Sequence, residues 1–156
     1  MKMPKKDFDM TGYCSVVKAM SLAKSKQGLD YFSGIAAETV GSTQLCMHSM
    51  TVPSGGRAKA HKHEHHETAI YVLSGEAYTL YGDQLQYVQH TAPGDFLFIP
   101  AGIPHLPINI GKEPVVGIVA RTDANQEENV VLLPELETIA ETQIQRLLNQ
   151  IRGTKS

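Results

Sequence analysis

Between Tyr31 and Arg121 the chain is cut into short apolar runs by Gly, Pro, Asn and Asp, a punctuation that leaves room for strands but not for long helices. Eight runs read as strands: 31–36, 44–52, 68–73, 77–81, 85–90, 96–99, 105–109 and 115–121. Turn residues separate them at Ser54-Gly55-Gly56, Ser74-Gly75, Gly82-Asp83, Pro93-Gly94, Ala101-Gly102 and Gly111-Lys112. Strands that recur about every 8–12 residues predict a sandwich or closed barrel rather than βαβ units. The ends read differently. A short helix is predicted over 15–26, stopped by Gly28. Near the C-terminus Pro134 suits a first turn, and Leu136, Ala140, Ile144, Leu147 and Ile151 recur at three or four residues. Glu135 and Glu137 at its start, Arg146 and Arg152 near its end, and Gly153 just past it complement the helix dipole and supply a C-cap. This helix is expected to cover the barrel or a subunit interface.

A chain of 156 residues needs no disulfides to hold a core, since a domain of that size buries roughly 70% of its unfolded surface. Fourteen basic against sixteen acidic side chains leave a formal charge of −2. That balance offers no electrostatic footprint for nucleic acid or an anionic membrane surface. No apolar run reaches transmembrane length. Near the start Asp7, Asp9, Lys18 and Lys24 interrupt anything resembling a signal peptide. Cys14 and Cys46 make no disulfide framework and are expected to be buried small hydrophobes. The expectation is a reduced, cytoplasmic protein without nucleic-acid or membrane partners.

Histidine is the unusual entry in the composition. Of seven, His61, His63, His65 and His66 fall within six residues. His61 and His63 stand two apart, so on a strand both point to one face and can reach a single metal ion. A third ligand can come from Glu67, Thr68 or His66. A solvated His-rich turn is the other reading of this tract. Further on, Gly94 opens a buried strand that ends in a Pro100-Ala101-Gly102 turn, followed by His105 among apolar neighbours. A buried histidine there needs a partner, either a hydrogen bond or the same metal.

These two segments resemble the two motifs of the cupin superfamily. Gly94, Pro100, Gly102, His105 and Asn109 match every fixed position of G-x5-P-x-G-x2-H-x3-N. Gly55, His61, His63, Glu67 and Gly75 match G-x5-H-x-H-x3,4-E-x6-G, except that seven residues separate Glu67 from Gly75. The resemblance implies an all-β fold, a double-stranded β-helix (jelly-roll) barrel at 31–125. A 1–30 extension would precede it, and an extended segment with the helix would follow at 126–156. It implies one divalent transition metal per chain (Fe, Mn, Ni, Cu or Zn) held by His61, His63, Glu67 and His105, and a homodimer. The extra residue before Gly75 would turn Glu67 to the opposite face from Ile70 and Val72 unless a β-bulge restores it; otherwise His66 or Thr68 lies nearer the metal. The function implied is a metal-dependent enzyme of dioxygenase, isomerase or lyase type acting on a small oxygenated metabolite. The alternatives are a non-catalytic small-ligand-binding module and a barrel without its metal. No catalytic residue can be named.

The remaining candidates read as structural. His48 is expected to be satisfied or half-exposed, His90 solvent-facing, Arg57 and Lys59 a solvated basic turn, and Met47 and Met50 core filling.

Overall fold

The structure, a computed structural model, describes residues 14–18, 22–125 and 129–153. Its elements are β1 (Leu22–Lys24), β2 (Asp30–Ile35), α1 (Ala37–Val40), β3 (Cys46–Val52), β4 (His61–His63), β5 (Thr68–Ser74), β6 (Ala77–Tyr81), β7 (Tyr87–Thr91), β8 (Phe96–Ile99), β9 (His105–Ile108), β10 (Val115–Arg121) and β11 (Val130–Leu132). A 3-10 turn at Pro134–Leu136 leads into α2 (Glu137–Gly153). The strands form two antiparallel sheets, in the orders β1-β2-β3-β10-β5-β8 and β11-β4-β9-β6-β7. This is the jelly-roll architecture expected.

Alternation along the first sheet decides what the barrel encloses. On β10, Val115, Gly117, Val119 and Arg121 are buried, with the residues between them half-buried. On β3 the buried set is Cys46, His48, Met50 and Val52. Register aligns them: Arg121 lies opposite Cys46 and Thr68, Val119 opposite His48 and Ile70, and Gly117 opposite Met50 and Val72. The inner face is therefore polar at one end (Cys46, His48, Thr68, Arg121) and apolar at the other (Met50, Val52, Val72, Val115).

Leu136, Ala140, Ile144 and Leu147 are buried as their spacing requires, in one core cluster with Leu80, Leu106, Ile108, Ala58 and Ala60. Each fully buried aliphatic side chain contributes roughly 1.5–3 kcal/mol. The helix covers the second sheet. Arg57 is not a solvated turn residue: its Nη2 pairs with Glu137 Oε2 at 2.7 Å, while Glu137 Oε1 accepts the Ala60 N–H at 2.8 Å. These contacts fasten the first turn of α2 to the residue preceding β4. Gly153 is the last helical residue described, not a residue beyond the helix.

Other expectations need correction. Residues 15–18 carry no regular structure, and Leu22–Lys24 form β1; 19–21 lie outside the described residues. A turn explains the change. Ser25 N–H donates to Leu29 O, Gly28 N–H donates to Ser25 O, and Gly28 takes φ +93°, so β1 folds back on β2 instead of continuing as helix. Cys14 and Met47 are exposed, whereas Cys46 and Met50 are buried. Among the described residues no helix is long and apolar enough to cross a membrane.

Asn109, the last fixed position of the second motif, is fully buried. Its Nδ2 donates to Val52 O at 3.0 Å and Glu113 O at 2.7 Å, and its Oδ1 accepts the Gly111 N–H at 2.9 Å. The side chain thus binds the end of β3 to the turn before β10. Asn109→Ala is expected to cost roughly 3 kcal/mol, because it leaves three backbone groups without this partner. For a chain this long that lowers Tm by roughly 6–12 °C. A loss under about 1 kcal/mol in a urea melt would show that water replaces the amide.

Candidate metal centre

β4 is only three residues long, yet it is held on every side. β11 pairs with it on one edge, Leu133 N–H donates to Ala60 O just before it, and His63 O accepts the Gly102 N–H at 2.7 Å. His61 and His63 are buried and Lys62 between them is not, as a period of two requires. On the other edge β9 places His105 directly opposite His61. The Pro100-Ala101-Gly102 turn, pinned by His63 O, is what delivers His105 to this place. Gly102 adopts φ +79° there, a conformation that disfavours side chains.

The three imidazoles converge. Ring centroids are 4.3 Å apart for His61 and His105, 5.2 Å for His61 and His63, and 5.4 Å for His63 and His105. One nitrogen of each lies within 4.8 Å of the other two. His61 Nδ1 bonds Lys59 O and His105 Nδ1 bonds Ile103 O, each at 2.8 Å. A carbonyl only accepts, so Nδ1 carries the proton in both rings and Nε2 of the neutral ring is left with its lone pair. Metal-ligating histidines are commonly oriented in this way. His63 is buried with no hydrogen-bond partner at either ring nitrogen. A buried polar group left open is costly, and a cation at the cluster would satisfy the lone-pair nitrogen of this ring. The donor set therefore fits a transition metal.

Burial keeps these rings neutral. It pushes His105 down to about 4, with the Arg121 charge adding to the effect and the bond to Ile103 O opposing it. Burial, then the His105 charge, hold His61 well below the ordinary histidine range, and burial and Arg121 do the same to His63. His48 is lowered to about 3 by burial and by Arg121. Neutral imidazole is the form that ligates metal. It also makes the metal-free chain acid-sensitive. Between pH 6.5 and about 4 the unfolded chain binds protons at His48 and His105 that the folded chain refuses, so stability falls as pH falls through that window. At about 1.4 kcal/mol per pH unit per group, the pH 7 to pH 5 drop is roughly 2 kcal/mol for each of these two histidines. Urea midpoints of chelator-treated protein at the two pH values test this, and a flat profile contradicts it.

Glu67 does not join the cluster. It is exposed, its N–H donates to Thr122 Oγ1, and its carbonyl accepts the Thr122 N–H. The expected bulge exists but lies at the far end of β5: Gly117 pairs with Val72 and Val116 with Ser74, leaving Leu73 as the extra residue. The slip is absorbed beside Gly75, so Thr68 takes the inward position and Glu67 faces solvent. Thr68 is 2% exposed and its Oγ1 has no hydrogen-bond partner. His66 is buried against the His63 ring (4.9 Å), with Nδ1 3.5 Å from Asp123 Oδ2, but stands outside the trio. His48 is not half-exposed: it is buried, edge-on to Tyr31, with Nδ1 unbonded. His90 is on the surface, bonded to Glu76 at 3.0 Å.

The residue that sequence reasoning missed is Arg121, buried at the end of β10 where its charge reaches five histidines. Its inward parity with Val115, Gly117 and Val119 was the available signal.

The cupin domain family matches residues 48–121. No curated protein sequence matches the chain. Among solved structures it is similar to the cupin domain of Schizosaccharomyces pombe Cnp3 (18% identity, TM-score 0.55, covering 67% of this chain and 69% of that one). It is similar also to a putative sugar phosphate isomerase from Acidithiobacillus ferrooxidans (24%, 0.52, covering 64% and 65%). A variant of Bacillus subtilis oxalate decarboxylase is a third (21%, 0.61, covering 73% of this chain and 30% of that one). Both motifs fall within the matched residues, and residues 48–121 form a cupin superfamily domain.

Proposed function

We propose that His61, His63 and His105 hold one divalent transition metal, and that the loaded site is an enzyme centre for a small oxygenated metabolite, of dioxygenase, isomerase or lyase type. The observation that carries this reading is the orientation of the rings. His61 and His105 are tethered through Nδ1, leaving Nε2 available, and both nitrogens of buried His63 are unbonded. Imidazole donors suit Fe, Mn, Ni, Cu or Zn. Such an ion supplies Lewis acidity or redox chemistry to ligand oxygens beside it. The chain's own part is to fix the rings in neutral form and to surround them with a barrel that limits water. Among the similar structures, Bacillus subtilis oxalate decarboxylase is described with Mn(II) centres.

A non-catalytic ligand-binding module is the second reading. It is favoured by Thr68, a side chain that is no general acid or base, at the inward position of β5. The proposal takes the chain to act as a cytoplasmic homodimer without nucleic-acid or membrane partners. The edge strand β8, with Phe96 and Phe98 exposed, supports the dimer as a surface a second copy would cover.

Elemental analysis of tag-free protein, purified without added metal or chelator, tests the metal. About one transition metal per chain is expected. A content that stays far below that after reconstitution with Fe, Mn, Ni, Cu and Zn overturns the reading.

A further inference from the structure

The candidate metal centre lies in a row of rings that crosses the second sheet. His105 on β9 has His61 opposite it on one side and Tyr81 of β6 on the other, and Tyr81 in turn lies opposite Tyr87 of β7. Residues directly opposite in an antiparallel pair share a face, with Cβ atoms about 4.5–5.5 Å apart. Tyr81 is therefore the neighbour of His105 on the side away from His61. It is half-buried and packs against Tyr87, their ring centroids 5.4 Å apart.

The row runs into a cleft. β7 is the last strand of one sheet and β8 of the other, and residues of both edges line a cavity of about 550 Å³. That volume is ordinary for a small-molecule site. One end of the cleft meets the histidines: Tyr81 lines it, and so does Ile103, whose carbonyl holds His105 Nδ1. The other end meets the apolar end of the barrel, where Thr79, Thr91 and Leu97 also line a hollow among Met50, Val52 and Val72.

The lining says what kind of molecule fits. Thr79, Tyr81 and Gln89 offer hydroxyl and amide groups without charge, whereas Leu97, Ile99 and Ile103 offer hydrocarbon. No Lys or Arg is among the residues that line the cleft. Its acidic residue, Asp95, accepts the Ala92 N–H at 2.8 Å, and its histidine, His90, bonds Glu76. An anionic group carried in here would lose water without gaining a cation. Thr79 and Tyr81 stand two residues apart on β6, roughly 7 Å, which leaves room for an aromatic ring beyond a head group at Tyr81.

We propose that this cleft is the binding chamber of the three-histidine centre, and that it takes a molecule with an oxygen-bearing head and an uncharged apolar ring or chain. The head lies against Tyr81 and the histidines, and the body lies between β7 and β8. The proposal deepens the functional reading: it rests on the metal for what the head meets, and on the cleft alone for the body.

The test is calorimetric titration of three probes into metal-loaded and chelator-stripped protein. They are α-hydroxyacetophenone, which joins an uncharged hydroxyketone head to a phenyl ring; hydroxyacetone, the same head with a methyl group in place of the ring; and the para-carboxylate of the first. Wild type, loaded or stripped, is expected to bind α-hydroxyacetophenone at least about tenfold tighter than either of the others. Leu97→Ala should keep its metal and lose at least about fivefold in affinity for α-hydroxyacetophenone. Tyr81→Phe, which removes the hydroxyl and keeps the ring, should lose at least about threefold. Equal affinity for α-hydroxyacetophenone and hydroxyacetone overturns the proposal, as does equal or tighter binding of the ring carboxylate, or unchanged affinity in either variant. Full metal content beside any of those results leaves the metal reading standing. Conversely, a chain that never loads metal yet keeps the tenfold preference and both losses sinks the metal reading and keeps the cleft as a ligand site. Should either variant not fold, the wild-type comparison of the three probes decides without it.

Discussion

His105→Ala leaves the chain without stoichiometric metal, while His65→Ala leaves its metal content unchanged. The two residues are both histidines near one another in the motif region, but only one is placed to ligate. His105 is buried, lies directly across from His61, and has its Nδ1 committed to Ile103 O. His65 is exposed and outside the cluster. Removing a hydrogen-bonding partner of a ligand typically costs 10–100-fold in metal affinity, so removing a ligand should cost at least about 100-fold. Equilibrium dialysis at fixed metal followed by elemental analysis reads the content directly. A second readout is thermal. Metal at a free concentration of about 1,000 Kd stabilises the folded state by about 4 kcal/mol, which raises Tm by roughly 8–16 °C for a chain of this length. Wild type and His65→Ala should show that rise and His105→Ala should not. Equal loss in both variants, or full metal in His105→Ala, contradicts the ligand assignment.

The parts of this arrangement visible in the sequence are those encoded over a few residues. The parity of His61 and His63, the turn that precedes His105, and the spacing of Leu136, Ala140, Ile144 and Leu147 each need one element at most. Strands β1, β4 and β11 are three residues long, too short to be read as strands on their own, and exist because neighbouring strands pair with them. What was hidden depends on register between distant strands. An extra residue between Glu67 and Gly75 can be absorbed anywhere along β5, and only the pairing with β10, some fifty residues later, puts it at Leu73. That choice turns Thr68 inward and Glu67 outward. Arg121 carries a local signal in its inward parity with Val115, Gly117 and Val119, but a charged residue closing an apolar strand also reads as the point where the chain meets solvent. It is buried because β3 and β5 flank it on both sides. Local chemistry thus located the histidines, while the charge balance around them is a property of the assembled barrel.

Gly75→Ala is expected to cost far more stability than Gly55→Ala, although both are motif glycines with nearly the same backbone. Their φ angles are +75° and +70°. In that region an L side chain costs roughly 1–2 kcal/mol, and this is all that Gly55→Ala should lose, since a Cβ there meets nothing within 4 Å. At Gly75 the added Cβ would lie 2.6 Å from Pro114 O, 2.9 Å from Val115 Cα and 3.0 Å from Val115 Cγ2. Two of those atoms are backbone, so the start of β10 must move, and overpacking of this kind adds about 1–3 kcal/mol or more. The total, roughly 2–5 kcal/mol, is a large part of the 5–15 kcal/mol that holds a typical domain. Urea melts of the two variants measure the gap, and a difference below about 1 kcal/mol would mean that the turn relaxes freely. The same comparison separates the two ends of the barrel. Gly75 abuts Val115, whereas Arg121, six residues along β10, and Thr68, opposite it on β5, lie at the other end. At a temperature where Gly75→Ala remains folded its metal content should equal that of the wild type, because the displaced backbone is at the apolar end and the histidines are not.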